Sequence, residues 1–180
     1  MNTSISKKVA LFVECFGDSA EVAKELFSCR DVTTVCKYNE DRLAAMASLV
    51  PILADDKISG FYIYGVCVAE NERGRGLFRE IMQAAENKAV ESGASFVCLI
   101  PADNRLKDTY MSFGYDIEVL PKGCNAGKKI RLLSDDFRIF ARCDKPVSDV
   151  QMSGLIKSFD KNVFCPCDKE FVFLDDMGDV

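Results

Sequence analysis

Phe61-Tyr62-Ile63-Tyr64-Gly65-Val66-Cys67-Val68-Ala69-Glu70-Asn71-Glu72-Arg73-Gly74-Arg75-Gly76-Leu77-Phe78 passes from an apolar run through a basic glycine turn to the start of a helix. Residues 61–68 show no polar alternation, which is the pattern of a strand covered on both faces. Gly65 interrupts the run and implies a bulge or a close backbone approach by a ligand. In Arg73-Gly74-Arg75-Gly76 the glycines let backbone N–H groups reach an anion without Cβ interference, and the following helix adds its positive end. Strand, glycine turn and helix start together form a phosphate grip.

Downstream, Leu77, Phe78, Ile81, Met82, Ala85 and Ala89 fall on one helical face, and Gly93 closes the helix. Phe96–Ile100 is again wholly apolar. A strand–helix–strand unit of this length makes a crossover between parallel strands. Asp103 or Asn104 can cap a short helix carrying Leu106, Tyr110 and Phe113 on one face, ended by Gly114, after which residues 115–120 resume extended structure.

Upstream, Val9–Phe16 and Ser19–Cys29 read as two helices, and Val32–Tyr38 as a strand before the polar turn Asn39-Glu40-Asp41. Leu43–Leu53 is alanine-rich but lies between strand candidates, so it is read as a strand of a meander, closed by Asp55-Asp56-Lys57. Beyond Pro121 the patterns weaken. Residues 130–133 and 137–143 read as strands around a Ser134-Asp135-Asp136 turn, 148–159 as a helix and 171–174 as a last strand.

The 180 residues suffice for one core and are short for two ordinary domains. The chain is therefore read as a single domain over 1–180, with a ligand-binding core at 58–120. The net charge of −5 argues against a broad nucleic-acid surface. Against that acidic background Arg73, Arg75 and Arg79 make a local basic spot. No apolar run is long enough to span a bilayer, and the first residues lack the apolar core of a secretory signal. A cytoplasmic protein is expected, with its nine cysteines reduced. Cys165-Pro166-Cys167, with Cys124 and Cys143, fits no usual zinc spacing, so no metal is expected. Cys67 and Cys98 lie inside apolar runs, where cysteine acts as a small hydrophobe. Histidine is absent, which excludes Ser-His and Cys-His nucleophile schemes and leaves carboxylates, Tyr, Lys, Cys, backbone groups and water for any chemistry.

Two phosphate motifs fail against the residues. A P-loop needs lysine and a hydroxyl after its last glycine, where Leu77 and Phe78 stand, and a dinucleotide fingerprint needs a third glycine where Arg79 stands. What remains is an apolar strand, Arg-Gly-x-Gly opening a helix, a second apolar strand, and then Asn104, Tyr110, Gly114 and aromatic Tyr115. This combination resembles the GNAT superfamily of acyl-CoA-dependent N-acyltransferases. The resemblance covers residues 58–120, with Arg73 and Gly76 in the pyrophosphate motif and Phe78 where the family carries Gly or Ala.

The resemblance implies an α/β fold: a mixed, mostly antiparallel sheet with helices on both faces and one parallel pair beside the cofactor helix. It implies acetyl-CoA as acyl donor, an amine as acceptor and direct transfer without an acyl-enzyme. The backbone of Arg73, Gly74, Arg75, Gly76, Leu77 and Phe78 would bind the pyrophosphate. Val66, Cys67 and Val68 would pair with the pantetheine arm as an added strand does. Asn104 would contact that arm, and Tyr110 would protonate the departing thiolate. The acceptor amine must lose a proton; with no histidine, a carboxylate is expected to take it. Glu70, just past the strand end, is the candidate, with Glu14 and Asp18 behind it. Two other readings stay open. One is a non-catalytic acyl-CoA-binding regulatory domain, which Phe78 favours. The other is an interaction domain that uses the fold as scaffold. Monomer and homodimer are equally compatible with the sequence.

Overall fold

A computed structural model describes residues 3–120, 128–137, 153–160 and 171–174. It is mixed α/β, and antiparallel strand pairs outnumber parallel ones. Residue contacts divide the chain into two compact units.

The described residues of the first unit fall within Met1–Val50, Ile63–Lys88 and Ser134–Lys145. It opens with helices α1 (Thr3–Phe16) and α2 (Ala20–Ser28). The Ser19 hydroxyl accepts the Val22 N–H and fixes the start of α2. Strands β1 (Thr33–Asn39) and β2 (Arg42–Ala54) form a hairpin in which Asn39 faces Arg42 across Glu40-Asp41, with Glu40 in a left-handed conformation. Leu43 to Val50 of β2 are all buried. Small side chains suit a strand covered on both faces, and that packing overrides alanine's preference for helix.

Strand β3 (Ile58–Val68) begins in the second unit and ends in the first. Its apolar run is not covered on both faces as expected: within 61–68 only Ile63 and Cys67 are buried, and the rest are half-buried. The parallel ladder with β4 (Phe96–Leu99) covers only Gly60–Tyr62. Beyond Tyr62 β3 keeps its neighbour β2 but has no ladder to β4, so on that side its side chains lack the lateral cover that a second paired strand supplies. Gly65 has φ +61, and a Cβ there would lie 3.0 Å from the Phe12 ring. The close neighbour at this glycine is thus α1, where a bulge or a ligand was expected. Phe12 anchors an aromatic cluster with Phe16, Phe27 and Tyr64, and Tyr64 meets Phe137 edge to face. After β3, a 3-10 turn (Glu70–Glu72) leads to helix α3 (Leu77–Glu91), which buries Ile81, Met82, Ala85 and Ala89.

The described residues of the second unit fall within Pro51–Tyr62, Ala89–Leu133 and Pro146–Val180. Gly93, at φ +80, ends α3 and leads into β4, which is buried throughout. Helix α4 (Asn104–Met111) is capped by Asp103, whose carboxylate accepts the Leu106 N–H at 2.7 Å, so Asn104 is its first helical residue and not its cap. The remaining strands are β5 (Ile117–Leu120), β6 (Lys128–Leu132), β7 (Gly154–Ser158) and β8 (Phe171–Leu174), hydrogen-bonded in the order β3-β4-β7-β5-β8-β6.

Three expectations for the last sixty residues are corrected. Gly154–Ser158 is a strand, not part of a helix: it fills the slot between β4 and β5, with Leu155 and Ile156 buried. A Cβ at Gly154 would lie 3.1 Å from Val119 Cβ and 3.2 Å from the Leu99 carbonyl, so only glycine fits that slot without a shift. Phe137 lies in a helical turn over residues 135–137, where Ser134 Oγ accepts its N–H, so the strand read over 137–143 does not start there. Residues 138–143 lie outside the described residues, as do 148–152 of the expected helix. Finally, β3–β4 is the parallel pair expected beside α3, but β8 adds two further parallel ladders that were not expected, because it lies between β5 and β6 and runs in their direction.

Candidate active site

The Arg73–Gly76 turn belongs to the first unit and is exposed. Gly74 and Gly76 have φ +78 and +82, a conformation that L side chains rarely adopt, and nothing lies within 4 Å of where their Cβ atoms would be. The turn therefore presents bare backbone to open space at the N-terminus of α3. The first turn of any helix leaves amide N–H groups without an intrahelical acceptor, and these favour an anion.

A residue missed in the sequence organises this turn. Glu72 is buried, with Oε2 3.0 Å from Arg75 Nη1 and Oε1 accepting from Asn39 Nδ2 at 3.2 Å. It ties the turn to the β1–β2 hairpin and offsets the Arg75 charge. The available signal was an acid three residues before an arginine inside a basic motif; the Asn39 partner, 33 residues away, gave none.

Arg73 is exposed, and its Nε donates to the Val68 carbonyl at 3.3 Å, joining turn to strand end. The same oxygen accepts from Cys15 Sγ at 3.5 Å. Cys67 is buried, as a core cysteine should be, and its thiol bonds the Gly65 carbonyl at 3.3 Å. Glu70 is exposed, and its backbone N–H donates to Glu14 Oε1 at 2.8 Å; Glu14 Oε2 lies 3.9 Å from Arg42. A cleft of about 530 Å³ in this unit is lined by Lys7, Glu14, Asn39, Asp41 and Arg42 among others. Of the carboxylates considered from sequence, only Glu14 lines it.

Val66, Cys67, Val68, Glu70, Glu14 and residues 73–78 thus share the first unit, while Asn104 and Tyr110 lie in the second, on α4. Asn104 is exposed at the start of that helix. Tyr110 is 6% exposed, and its ring packs edge to face on Tyr115 with centroids 5.8 Å apart. Burial pushes the Tyr110 phenol up to about 12, which keeps it in the donor form throughout the neutral range.

Among the described residues no group of three or more His, Cys, Asp or Glu is placed to hold a metal ion. Cys124, Cys143, Cys165 and Cys167 lie outside them. No described helix is long and apolar enough to cross a membrane.

A family model for the acetyltransferase (GNAT) domain matches residues 2–117. No curated protein matches the chain. Among solved structures, a GNAT family N-acetyltransferase (YhbS) from Escherichia coli in complex with CoA is similar with a TM-score of 0.67 and 13% identity, over 96% of this chain and 85% of that one. Aminoglycoside 6'-acetyltransferase type Ii is similar with a TM-score of 0.58 and 15% identity, over 87% and 92% of the two chains. A GNAT family acetyltransferase from Brucella melitensis in complex with acetyl-CoA gives 0.54 and 12%, over 64% and 79%.

Proposed function

From the premise that this chain belongs to the GNAT acetyltransferase family, we propose that it transfers an acetyl group from acetyl-CoA directly to an amine. The observation that carries this reading is the turn Arg73–Gly76, where two left-handed glycines expose main-chain amides at the start of α3. A diphosphate has the charge and the acceptor oxygens to use those amides. Arg73, held to the strand end by Val68, adds a guanidinium to the grip. The backbone of Val66, Cys67 and Val68 continues from the turn and offers the edge along which the pantetheine arm is laid, with Asn104 as a further contact.

The reaction assigns two proton transfers. A neutral amine attacks the thioester carbonyl, the C–N bond forms, and the C–S bond breaks. A backbone amide of residues 66–68 stabilises the oxyanion that develops between those steps. Tyr110 donates its phenolic proton to the departing thiolate, and its burial supports that role by disfavouring the phenolate. Glu70 takes the amine proton directly or through water, with Glu14 beside its backbone as the alternative base. No step uses an acyl-enzyme.

Phe78 favours a second reading, an acyl-CoA-binding domain without transfer activity, because a large side chain stands where the family has Gly or Ala. One experiment separates the two: CoA release from acetyl-CoA over a panel of small amines, amino acids and peptides. The enzyme releases CoA with at least one acceptor and loses that activity in Tyr110→Phe. Tight binding of acetyl-CoA with no turnover on any acceptor supports the second reading and contradicts the first.

A further inference from the structure

Lys157 of β7 reaches the end of the helix that carries Tyr110. Residues 110–115 and 157 all belong to the second unit. Gly114, at φ +89, turns the chain back on α4, and the Tyr115 N–H returns to the Tyr110 carbonyl at 3.3 Å. That return brings the two rings together, with their planes at 64°. Lys157 lies over the same bend. A Cβ at Gly114 would be 3.6 Å from Lys157 Cε, so the stem crosses the glycine, and the ammonium stands 5.7 Å from the centre of the Tyr115 ring. Tyr115 is fully buried and Lys157 half-buried.

We infer, on the reading that Tyr110 is the proton donor, that Lys157 is its positioning residue: acting through the Tyr115 ring, it fixes the phenol in the place from which the proton is given. Two attractions hold the ammonium there. A cation is drawn to the face of an aromatic ring. It is also drawn to the C-terminal end of a helix, where carbonyls without intrahelical partners collect negative partial charge. α4 ends at Met111, and the bend that follows is the one Lys157 covers.

Sheet register sets the lysine in place. Lys157 faces Val97 of the buried β4, and its neighbour Ile156 faces Ile117 of β5, so the side chain grows from a strand paired on both sides. The helix it meets has eight residues, too few to be stable by itself, so contacts from outside fix its last turn. Proton donation depends on where the donor sits, and a displacement of about 1 Å can cost about 100-fold in rate. Without the ammonium the Tyr115 ring is held less firmly, and the Tyr110 ring packed on it shifts with it. Loss of the charge therefore acts on kcat, while donor KM stays with the glycine turn and the strand that follows the pantetheine arm.

The test is a double-mutant cycle in the full chain with Tyr110→Phe, Lys157→Arg and Lys157→Gln, the last keeping the stem as far as Cδ and dropping the ammonium. Lys157→Gln is expected to lower kcat for CoA release by about 10-fold with donor KM within about twofold of wild type. Lys157→Arg, whose guanidinium also stacks on rings, is expected to restore it. Added to Tyr110→Phe, Lys157→Gln is expected to change kcat by less than about twofold, since its effect passes through the phenol. A kcat unchanged in Lys157→Gln, or lowered as much in the Tyr110→Phe background as in wild type, overturns the inference. A wild type that releases no CoA with any acceptor contradicts the proposed activity instead, and the contact is then read by ring carbon–proton NMR of tyrosine-labelled protein. Loss of one of the five tyrosine signals in Tyr110→Phe assigns Tyr110. A Tyr110 signal displaced in Lys157→Gln and returned in Lys157→Arg supports the positioning; one that keeps its wild-type shift in both overturns it.

Discussion

Arg73 carries two duties on one side chain. Its Nε holds the Val68 carbonyl, and the rest of its exposed guanidinium is available to a phosphate. Arg73→Glu is therefore expected to weaken acetyl-CoA binding by about 10–100-fold, the worth of one charge-assisted contact, while the far-UV circular dichroism stays that of the wild type. Unchanged affinity in a calorimetric titration contradicts the pyrophosphate assignment. Tyr110→Phe removes the proton donor and keeps the ring packed on Tyr115; kcat should fall by about 10²–10⁴-fold with little change in donor KM. The phenol must be protonated to act, and its value is pushed up to about 12. Wild-type kcat should then show no alkaline fall due to Tyr110 between about pH 8 and about pH 10. An alkaline limb in that window that disappears in Tyr110→Phe contradicts the assigned role. Arg73 and Tyr110 were legible in the sequence because the turn and the Asn104–Tyr115 segment are local patterns. Glu72 was not, because its partner Asn39 lies 33 residues away.

At the scale of elements, local periodicity identified what is built from a single repeating pattern. The α3 face, the buried β4 and the alanine-rich β2 were all readable. The ladder that leaves β3 half-open beyond Tyr62 was not, because strand pairing is a property of two segments and the apolar run describes only one. The same holds for β7, whose Gly154 is explained by Val119 and Leu99 on its neighbours. Gly60 makes a sharper test of register. It pairs with Phe96 across the parallel ladder, and a Cβ at this position would run into the buried Phe96 ring. Gly60→Ala should cost about 1–3 kcal/mol in urea unfolding, with the m-value unchanged. A neutral substitution contradicts the β3–β4 register.

At the scale of the whole molecule, the last sixty residues were the least legible, and the reason is physical. β7 and β8 are short insertions between strands distant in sequence, so their place is set by long-range pairing and not by their own composition. The family match, by contrast, covers residues 2–117, which include the glycine turn, α3 and α4. The central claim is that the native chain binds acetyl-CoA through that turn. A ligand that binds only the folded state stabilises it by about 2.7 kcal/mol at a hundredfold excess over its dissociation constant. For a chain of this size that is a rise in melting temperature of roughly 5–10 °C. Thermal unfolding with and without saturating acetyl-CoA, in wild type and in Arg73→Glu at the same ligand concentration, tests the claim most directly. The account predicts that rise in the wild type and a clearly smaller one in Arg73→Glu; a wild-type melting temperature that does not move with any acyl-CoA contradicts it.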